Sequence, residues 1–278
     1  MILQGKKHRL DLATPQVMGI LNITPDSFSD GSKFQTLDLA LKHAEQMMQH
    51  GASIIDIGGE STRPGAEYVS EQQELDRVVP IIERISNTLD IMISIDTYKP
   101  QVMSEACKAG AELINDIKAL QEPEALKVAV ESEALVCLMH MQGEPRTMQS
   151  NPEYCDLLQD IQCFFIERIE ASIKAGVLKE RIILDPGFGF GKTLDQNYQL
   201  LANYQKMEFA EQHPWLIGVS RKSMIGNLLQ KPVSERLAGS LAAALYSIQS
   251  GARIIRVHDV AETVDAIKVF TYAQSFEA

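Results

Sequence analysis

The chain has 278 residues, of which 45% are apolar and 23% charged, and it carries a formal net charge of −11 at pH 7. That length and apolar content suffice for one ordinary enzyme domain, while the acidic balance disfavours a general nucleic-acid or anionic-membrane surface, which needs a basic stripe. No apolar stretch approaches the ~18 residues of a membrane helix, and Lys6, Lys7 and Arg9 are not followed by the apolar core of a signal peptide, so a cytoplasmic protein is expected.

Eight short apolar runs follow, each stopping at a residue with hydrogen-bonding capacity, and the gaps between them usually have room for a helix. Residues 17–21 stop at Asn22, and Leu37, Ala40, Leu41, Ala44, Met47 and Met48 then recur at helical spacing, with Thr36 as the expected N-cap and Gly51 as the stop. Residues 53–57 lead to Gly58-Gly59-Glu60, and Ser70 with Gln73 makes a capping-box pattern ahead of a stripe of Leu75, Val78, Val79, Ile82 and Ile85. Residues 91–95 end at Asp96, and Pro100 suits the first turn of a helix over 99–109. Residues 112–114 end at Asn115-Asp116, and Pro123 has the same expected part in a helix over 122–131. Residues 134–139 end at His140, before a long helical pattern over 154–175. The last three runs are 181–184 before Asp185, 215–219 before Ser220-Arg221-Lys222, and 253–255 before Arg256 and His258. Between the final two, residues 234–248 are rich in Ala and Leu nearly all round, a surface that suits either a fully buried helix or a helix shared with a second subunit.

This alternation predicts a (β/α)8 barrel, an α/β fold of the TIM type, as a single domain over residues 1–278. Parallel strands bring all eight polar ends to one face, where such barrels hold their active sites. The longest connections, 22–34, 58–69, 140–152 and 187–193, all follow strands, as functional loops do. The four cysteines, Cys107, Cys137, Cys155 and Cys163, lack CxxC spacing and read as free, mostly buried thiols. His8, His43, His50 and His213 read as surface residues. The glycine-rich 187–193 segment is not a phosphate loop, because Pro186 stands where GxxxxGK[ST] needs its first glycine and Lys192 where GxGxxG needs its third.

Two segments, Asn22-Ile23-Thr24-Pro25-Asp26-Ser27-Phe28-Ser29-Asp30-Gly31 and Gly58-Gly59-Glu60-Ser61-Thr62-Arg63-Pro64-Gly65, closely resemble the signature segments of the dihydropteroate synthase family of pterin-binding barrels. Further similar segments follow in the family order at 94–97, 115–117, 139–141, 185–192, 220–223 and 256–259, so the likeness spans the chain. The resemblance implies condensation of a 6-hydroxymethyl-dihydropterin pyrophosphate with 4-aminobenzoate, giving dihydropteroate and pyrophosphate in folate biosynthesis. It also implies Mg²⁺ as cofactor and sensitivity to sulfonamides, while a homodimer is the assembly expected from the broad apolar surface of residues 234–248.

On that reading Asp185 accepts paired hydrogen bonds from the 2-amino-pyrimidinone edge of the pterin, the bidentate logic by which carboxylates also hold guanidinium. Asn115 serves neighbouring ring nitrogens, Asp96 pairs with a ring N–H or balances developing charge, and Lys222 donates to the oxygen-bearing edge. Arg256 and His258 lie two apart on the last strand, hence on one face, and suit a pyrophosphate clamp. The 4-aminobenzoate is expected among Thr62, Arg63, Pro64 and Phe28 on one side and Phe190 and Ser220 on the other, with Met139 against the flat pterin. Asn22 is the expected Mg²⁺ ligand, one neutral oxygen beside substrate phosphates and water, while Asp26 and Asp30 are candidates for metal or second-substrate contacts.

Asp96, Asp185, Lys222, Arg256 and His258 form the expected catalytic set, and His140 reads as structural. Tyr98, Lys118 and Ser32 depart from the family pattern without touching these positions. Alternatives are a methyltetrahydrofolate:corrinoid methyltransferase-like barrel and a non-catalytic pterin-binding protein. The cations Arg63, Lys222, Arg256 and His258 argue against the first, and the presence of pyrophosphate-binding groups and a metal ligand against the second.

Overall fold

The computed structural model describes residues 1–23, 33–61, 67–144, 147–149, 152–209 and 212–276. An antiparallel hairpin of β1 (Ile2–Gln4) and β2 (Arg9–Asp11) comes first. The barrel strands are β3 (Gln16–Asn22), β4 (Ile54–Gly58), β5 (Met92–Asp96), β6 (Leu113–Asp116), β7 (Leu135–Met139), β8 (Ile182–Asp185), β9 (Trp215–Ile217) and β10 (Ala252–Val257). They pair in parallel in chain order and close into a barrel through β10 and β3. The helices between and after them are α1 (Lys33–Gln49), α2 (Glu71–Thr88), α3 (Pro100–Ala109), α4 (Ala125–Glu131), α5 (Leu157–Ala175), α6 (Leu194–Asn203), α7 (Ser223–Leu229), α8 (Leu237–Gln249) and α9 (Val260–Gln274). The expected (β/α)8 barrel is therefore the observed fold.

Period-two alternation divides each strand between two environments. Ile55 and Ile57 on β4, Ile93 and Ile95 on β5, and Val136 and Leu138 on β7 pack outward into the larger core beneath the helices. Met18, Ile54, Met92, Leu113, Leu135, Cys137, Ile183, Leu216 and Ile254 point the other way and form a second cluster inside the barrel. Leu3 and Leu12 of the N-terminal segment join that inner cluster and close the barrel's lower end. Glu112, just before β6, secures the hairpin by accepting the backbone N–H groups of Lys7 at 2.6 Å and His8 at 2.9 Å.

Local signals hold in part. Ser70 caps α2 through a complete capping box with Gln73, Pro100 opens α3, and Gly51 follows α1 with φ +98°. Thr36 lies inside α1, which already begins at Lys33, so it is not the N-cap. Pro123 precedes α4, whose cap is Glu124 in the left-handed region at φ 70°. Cys107 and Cys137 are buried, but Cys155 and Cys163 are exposed. His213 is not a surface residue but is buried, where its Nδ1 donates to the Ile182 carbonyl at 3.2 Å, and His8 is half-buried against Glu112.

Candidate active site

The alternation that fills the lower barrel with Ile54, Met92 and Ile254 places Asp56, Asp96 and Arg256 higher on the same strands, two or four residues on. Arg256 Nε donates to Asp56 Oδ2 and its Nη2 to Asp96 Oδ2, each at 2.6 Å. Asn115 Nδ2 donates to the same Asp56 oxygen at 3.2 Å. Asp56 is fully buried, and its other oxygen, Oδ1, has no hydrogen-bond partner among the described residues. Burial pushes Asp96 up to about 7 against the pull of Arg256, with Asp56 adding repulsion. Although burial works against its charge, Asp56 and Asp96 hold Arg256 above its ordinary value, so the guanidinium stays ionised.

Across the mouth, Asp185 ends β8 and accepts the Gly187 N–H at 2.8 Å through Oδ1. Burial raises its pKa, opposed first by Lys222. Lys222 Nζ donates to the Phe188 carbonyl and lies 4.7 Å from the centroid of the Phe190 ring. Burial lowers Lys222 to about 8, while Asp185 works to keep it charged. Met139, also buried, stands opposite Asp185 in the strand register.

The Gly187–Gly191 turn is held from beneath by Lys192, whose buried amine contacts Gly187 O at 2.9 Å, Phe190 O at 3.1 Å and His140 Nδ1 at 3.0 Å. With the His140 carbonyl at 3.4 Å as a fourth acceptor, all three donors of an ammonium are engaged, although burial pulls the Lys192 pKa well down. Burial likewise keeps His140 neutral, in line with its expected structural role. Gly187 is required here, since it has φ +71° and a Cβ would strike the His140 carbonyl.

The last two strand ends are joined. Ser220 Oγ lies 3.1 Å from His258 Nδ1 and accepts the His258 N–H at 3.2 Å. Between Ser220 and Lys222, Arg221 adopts φ 57°, a left-handed conformation that costs an L-residue about 1–2 kcal/mol. A further cluster lies beneath the β4–α2 connection, where Lys99 Nζ binds Glu60 at 2.6 Å, Glu74 at 2.5 Å and the Val69 carbonyl at 2.8 Å. Tyr98 packs there, with Lys99 Nζ 5.1 Å and Lys118 Nζ 4.7 Å from its ring centroid.

The structure thus brings Asp96, Asn115, Met139, Asp185, Phe190, Ser220, Lys222, Arg256 and His258 to one end of the barrel. Thr62, Arg63, Pro64, Asp26, Phe28 and Asp30 lie outside the described residues. Asn22 ends β3 with its side chain exposed, and Gly58 leaves room beside it: a Cβ there would stand 3.5 Å from Asn22 Oδ1. Among the described residues no group of three His, Cys, Asp or Glu side chains could hold a metal. The Asn22 amide oxygen, a neutral donor at a strand end, fits a hard cation that takes its remaining ligands from phosphate and water. Sequence reasoning missed Asp56 and Lys192. Asp56 sits within an apolar run, and its signal is the i, i+2 relation to Gly58 on the interior face.

The model of the pterin-binding enzyme family matches residues 18–258. The dihydropteroate synthase of Haemophilus influenzae is 56% identical over 262 residues, covering 94% of each chain. Among solved structures, the Yersinia pestis dihydropteroate synthase in complex with a sulfonamide drug superposes with a TM-score of 0.93 at 54% identity, covering 99% of this chain and 100% of that one. The Xanthomonas albilineans dihydropteroate synthase with 4-aminobenzoic acid gives 0.93 at 44% identity, with 99% of both chains covered. Family match, full-length identity and a shared barrel agree: the chain belongs to the pterin-binding enzymes and, within them, to the dihydropteroate synthases.

Proposed function

We propose that the barrel mouth condenses (7,8-dihydropterin-6-yl)methyl diphosphate with 4-aminobenzoate to give 7,8-dihydropteroate and pyrophosphate, an alkyl or aryl transfer in folate biosynthesis. The observation that carries this reading is the pairing of two unlike zones at one end of the barrel. Acids and an amide at Asp56, Asp96, Asn115 and Asp185 suit the N–H-rich edge of a pterin, and the cations Lys222 and Arg256, with His258, suit its oxygen edge and the leaving diphosphate.

Asp185 accepts from the 2-amino-pyrimidinone edge through the oxygen that the Gly187 N–H leaves free, and the unpartnered Asp56 Oδ1 supplies a further acceptor. The methylene–oxygen bond breaks with its electron pair leaving on the diphosphate. Asp96 and Asp185 stabilise the pterin methylene cation by fixed charge, a form of preorganisation that commonly dominates catalysis. The aniline nitrogen of 4-aminobenzoate then forms the C–N bond and sheds its proton to solvent, so no protein nucleophile is needed. Arg256 and His258 meet the departing charge. Thr62, Arg63, Pro64, Phe190 and Ser220 are assigned to the aminobenzoate pocket, which a sulfonamide would also fill.

Mg²⁺ held by Asn22 would supply charge neutralisation at the diphosphate. A homodimer is supported by the exposed apolar side chains of Tyr246 on α8 and of Val269 and Tyr272 on α9, the latter two more than 70% exposed. Among the described residues no helix is long and apolar enough to cross a membrane.

The test incubates the purified chain with the dihydropterin diphosphate, 4-aminobenzoate and Mg²⁺, omitting each in turn and following both products. Equimolar dihydropteroate and pyrophosphate that require all three support the synthase. Pterin binding without products would instead make the chain a binding protein or place it with the corrinoid-dependent methyltransferases.

A further inference from the structure

Arg221 is a surface arginine in a conformation that its side chain disfavours, and three separate contacts hold it there. Its N–H donates to Ser240 Oγ at 2.9 Å, and its carbonyl accepts from Arg236 Nη1 at 3.0 Å. Its guanidinium makes a two-pronged pair with Asp259, Nε to Oδ2 at 2.9 Å and Nη2 to Oδ1. Ser240 and Arg236 are themselves linked, since Ser240 Oγ donates to the Arg236 carbonyl at 2.8 Å. Arg236 in turn lies against Gly226, where any Cβ would collide with its guanidinium. Strain that neighbouring groups hold in place from three directions marks a position where backbone direction matters.

The residues on either side give the reason. A left-handed residue reverses the chain between Ser220 and Lys222, so that Ser220 reaches His258 while Lys222 reaches Phe188 and the Phe190 ring. Asp259 follows His258 directly in the chain. Ser220 to His258 and Arg221 to Asp259 are therefore two consecutive rungs between the β9–α7 and β10–α9 connections. A bidentate arginine–carboxylate pair fixes angle as well as distance, which a lysine or a single hydrogen bond does not.

We infer that the Arg221–Asp259 pair is a positioning device that locks these two connections into one unit, setting the separation between Lys222 and the Arg256–His258 corner that receives the diphosphate. Neither residue touches substrate in this account. The inference rests on the synthase reading for the identity of the anion.

The test uses the full chain and five variants, Arg221→Gln, Asp259→Asn, the double of these, Arg221→Lys and Arg221→Gly, with inorganic pyrophosphate plus Mg²⁺ as the calorimetric probe and steady-state kinetics in both substrates. Each single variant should weaken pyrophosphate binding and raise KM for the pterin diphosphate by roughly tenfold, since small misplacements of binding groups carry losses of that order or more. The double should be no worse than either single, because the two residues act as one. Arg221→Lys, which keeps the charge but not the fork, should recover part of the loss. Arg221→Gly removes the pair while easing the backbone, and should behave like the Gln variant.

Wild-type pyrophosphate affinity in the single variants, losses that multiply in the double, or a harmless Gly variant would each overturn the inference. Should Arg221→Gln fail to fold, Asp259→Asn reads the same rung from the other side. A wild-type chain that binds pyrophosphate but makes no dihydropteroate would sink the synthase reading alone, since the calorimetric comparison still reports on the pair.

Discussion

The two ends of this barrel are built from the same eight strands and differ in nearly everything else. At the lower end Met18, Ile54, Met92, Leu113 and Ile254 meet Leu3 and Leu12 in a dry apolar plug. A few residues along, on the same inward face, Asp56, Asp96 and Arg256 form a buried ionic network, and Asp56 retains a free oxygen. The lower end can be satisfied by packing alone. The upper end is satisfied only by partners whose charges match, and a group such as Asp56 is costly in a protein that binds nothing there.

The contrast breaks most severely at Arg256. Arg256→Met leaves Asp56 and Asp96 facing each other without their cation, and removing one partner of a buried pair costs about 3–5 kcal/mol. Urea unfolding should show that loss, and adding Asp56→Asn should recover part of it; full stability in the single variant would mean that the network is already solvated. At the other end, Leu12→Ala should cost about 2–5 kcal/mol by leaving a cavity, with KM values for both substrates unchanged. A shift in KM would show that the plug and the mouth are mechanically coupled.

Asp185→Asn sharpens the comparison at the mouth itself. Asn keeps an acceptor for the Gly187 N–H but loses the second equivalent oxygen, and pterin affinity should fall by about 1.5–3 kcal/mol, the worth of a charge-assisted contact. Calorimetry with a pterin would check this, and unchanged affinity would remove the assigned edge contact.

The smallest effect is a titration. Burial lowers Lys222 to about 8 from 10.5, so kcat/KM for the pterin diphosphate should decline as pH rises through about 8, and Lys222→Arg should move that limb upward. Stability has the opposite sign. Between about 8 and 10.5 the unfolded chain binds more protons at this site than the folded one. The Lys222 contribution to stability therefore improves with rising pH across the window in which activity falls.

Much of this was legible beforehand, for a physical reason. Strand ends in a parallel barrel converge, so residues far apart in sequence, such as Asp96, Asn115, Asp185, Lys222 and Arg256, could be assigned to one site from their position after apolar runs. The lower plug was not legible, because β1 and β2 are three residues each and their partners are set by tertiary contact. Asp56 was hidden by its neighbours, since a run of Ile54, Ile55 and Ile57 reads as core whichever way its carboxylate points. Lys99, Lys192 and Arg221 share another cause. Each is defined by what it holds together, and neither the acceptors around Lys192 nor the pairing of Arg221 with Asp259, 38 residues on, leaves a local pattern.

The contact between Asp56 and Arg256 spans 200 positions of sequence. Asp56 lies on the second barrel strand and Arg256 on the eighth, so a chain emerging from the ribosome carries the acid long before its cation exists. Until β10 docks against β3, the carboxylates lack their guanidinium and the sheet keeps two open edges. Closing the sheet and neutralising the pocket are thus a single event that waits for the eighth barrel strand, and binding competence reports that the barrel has closed.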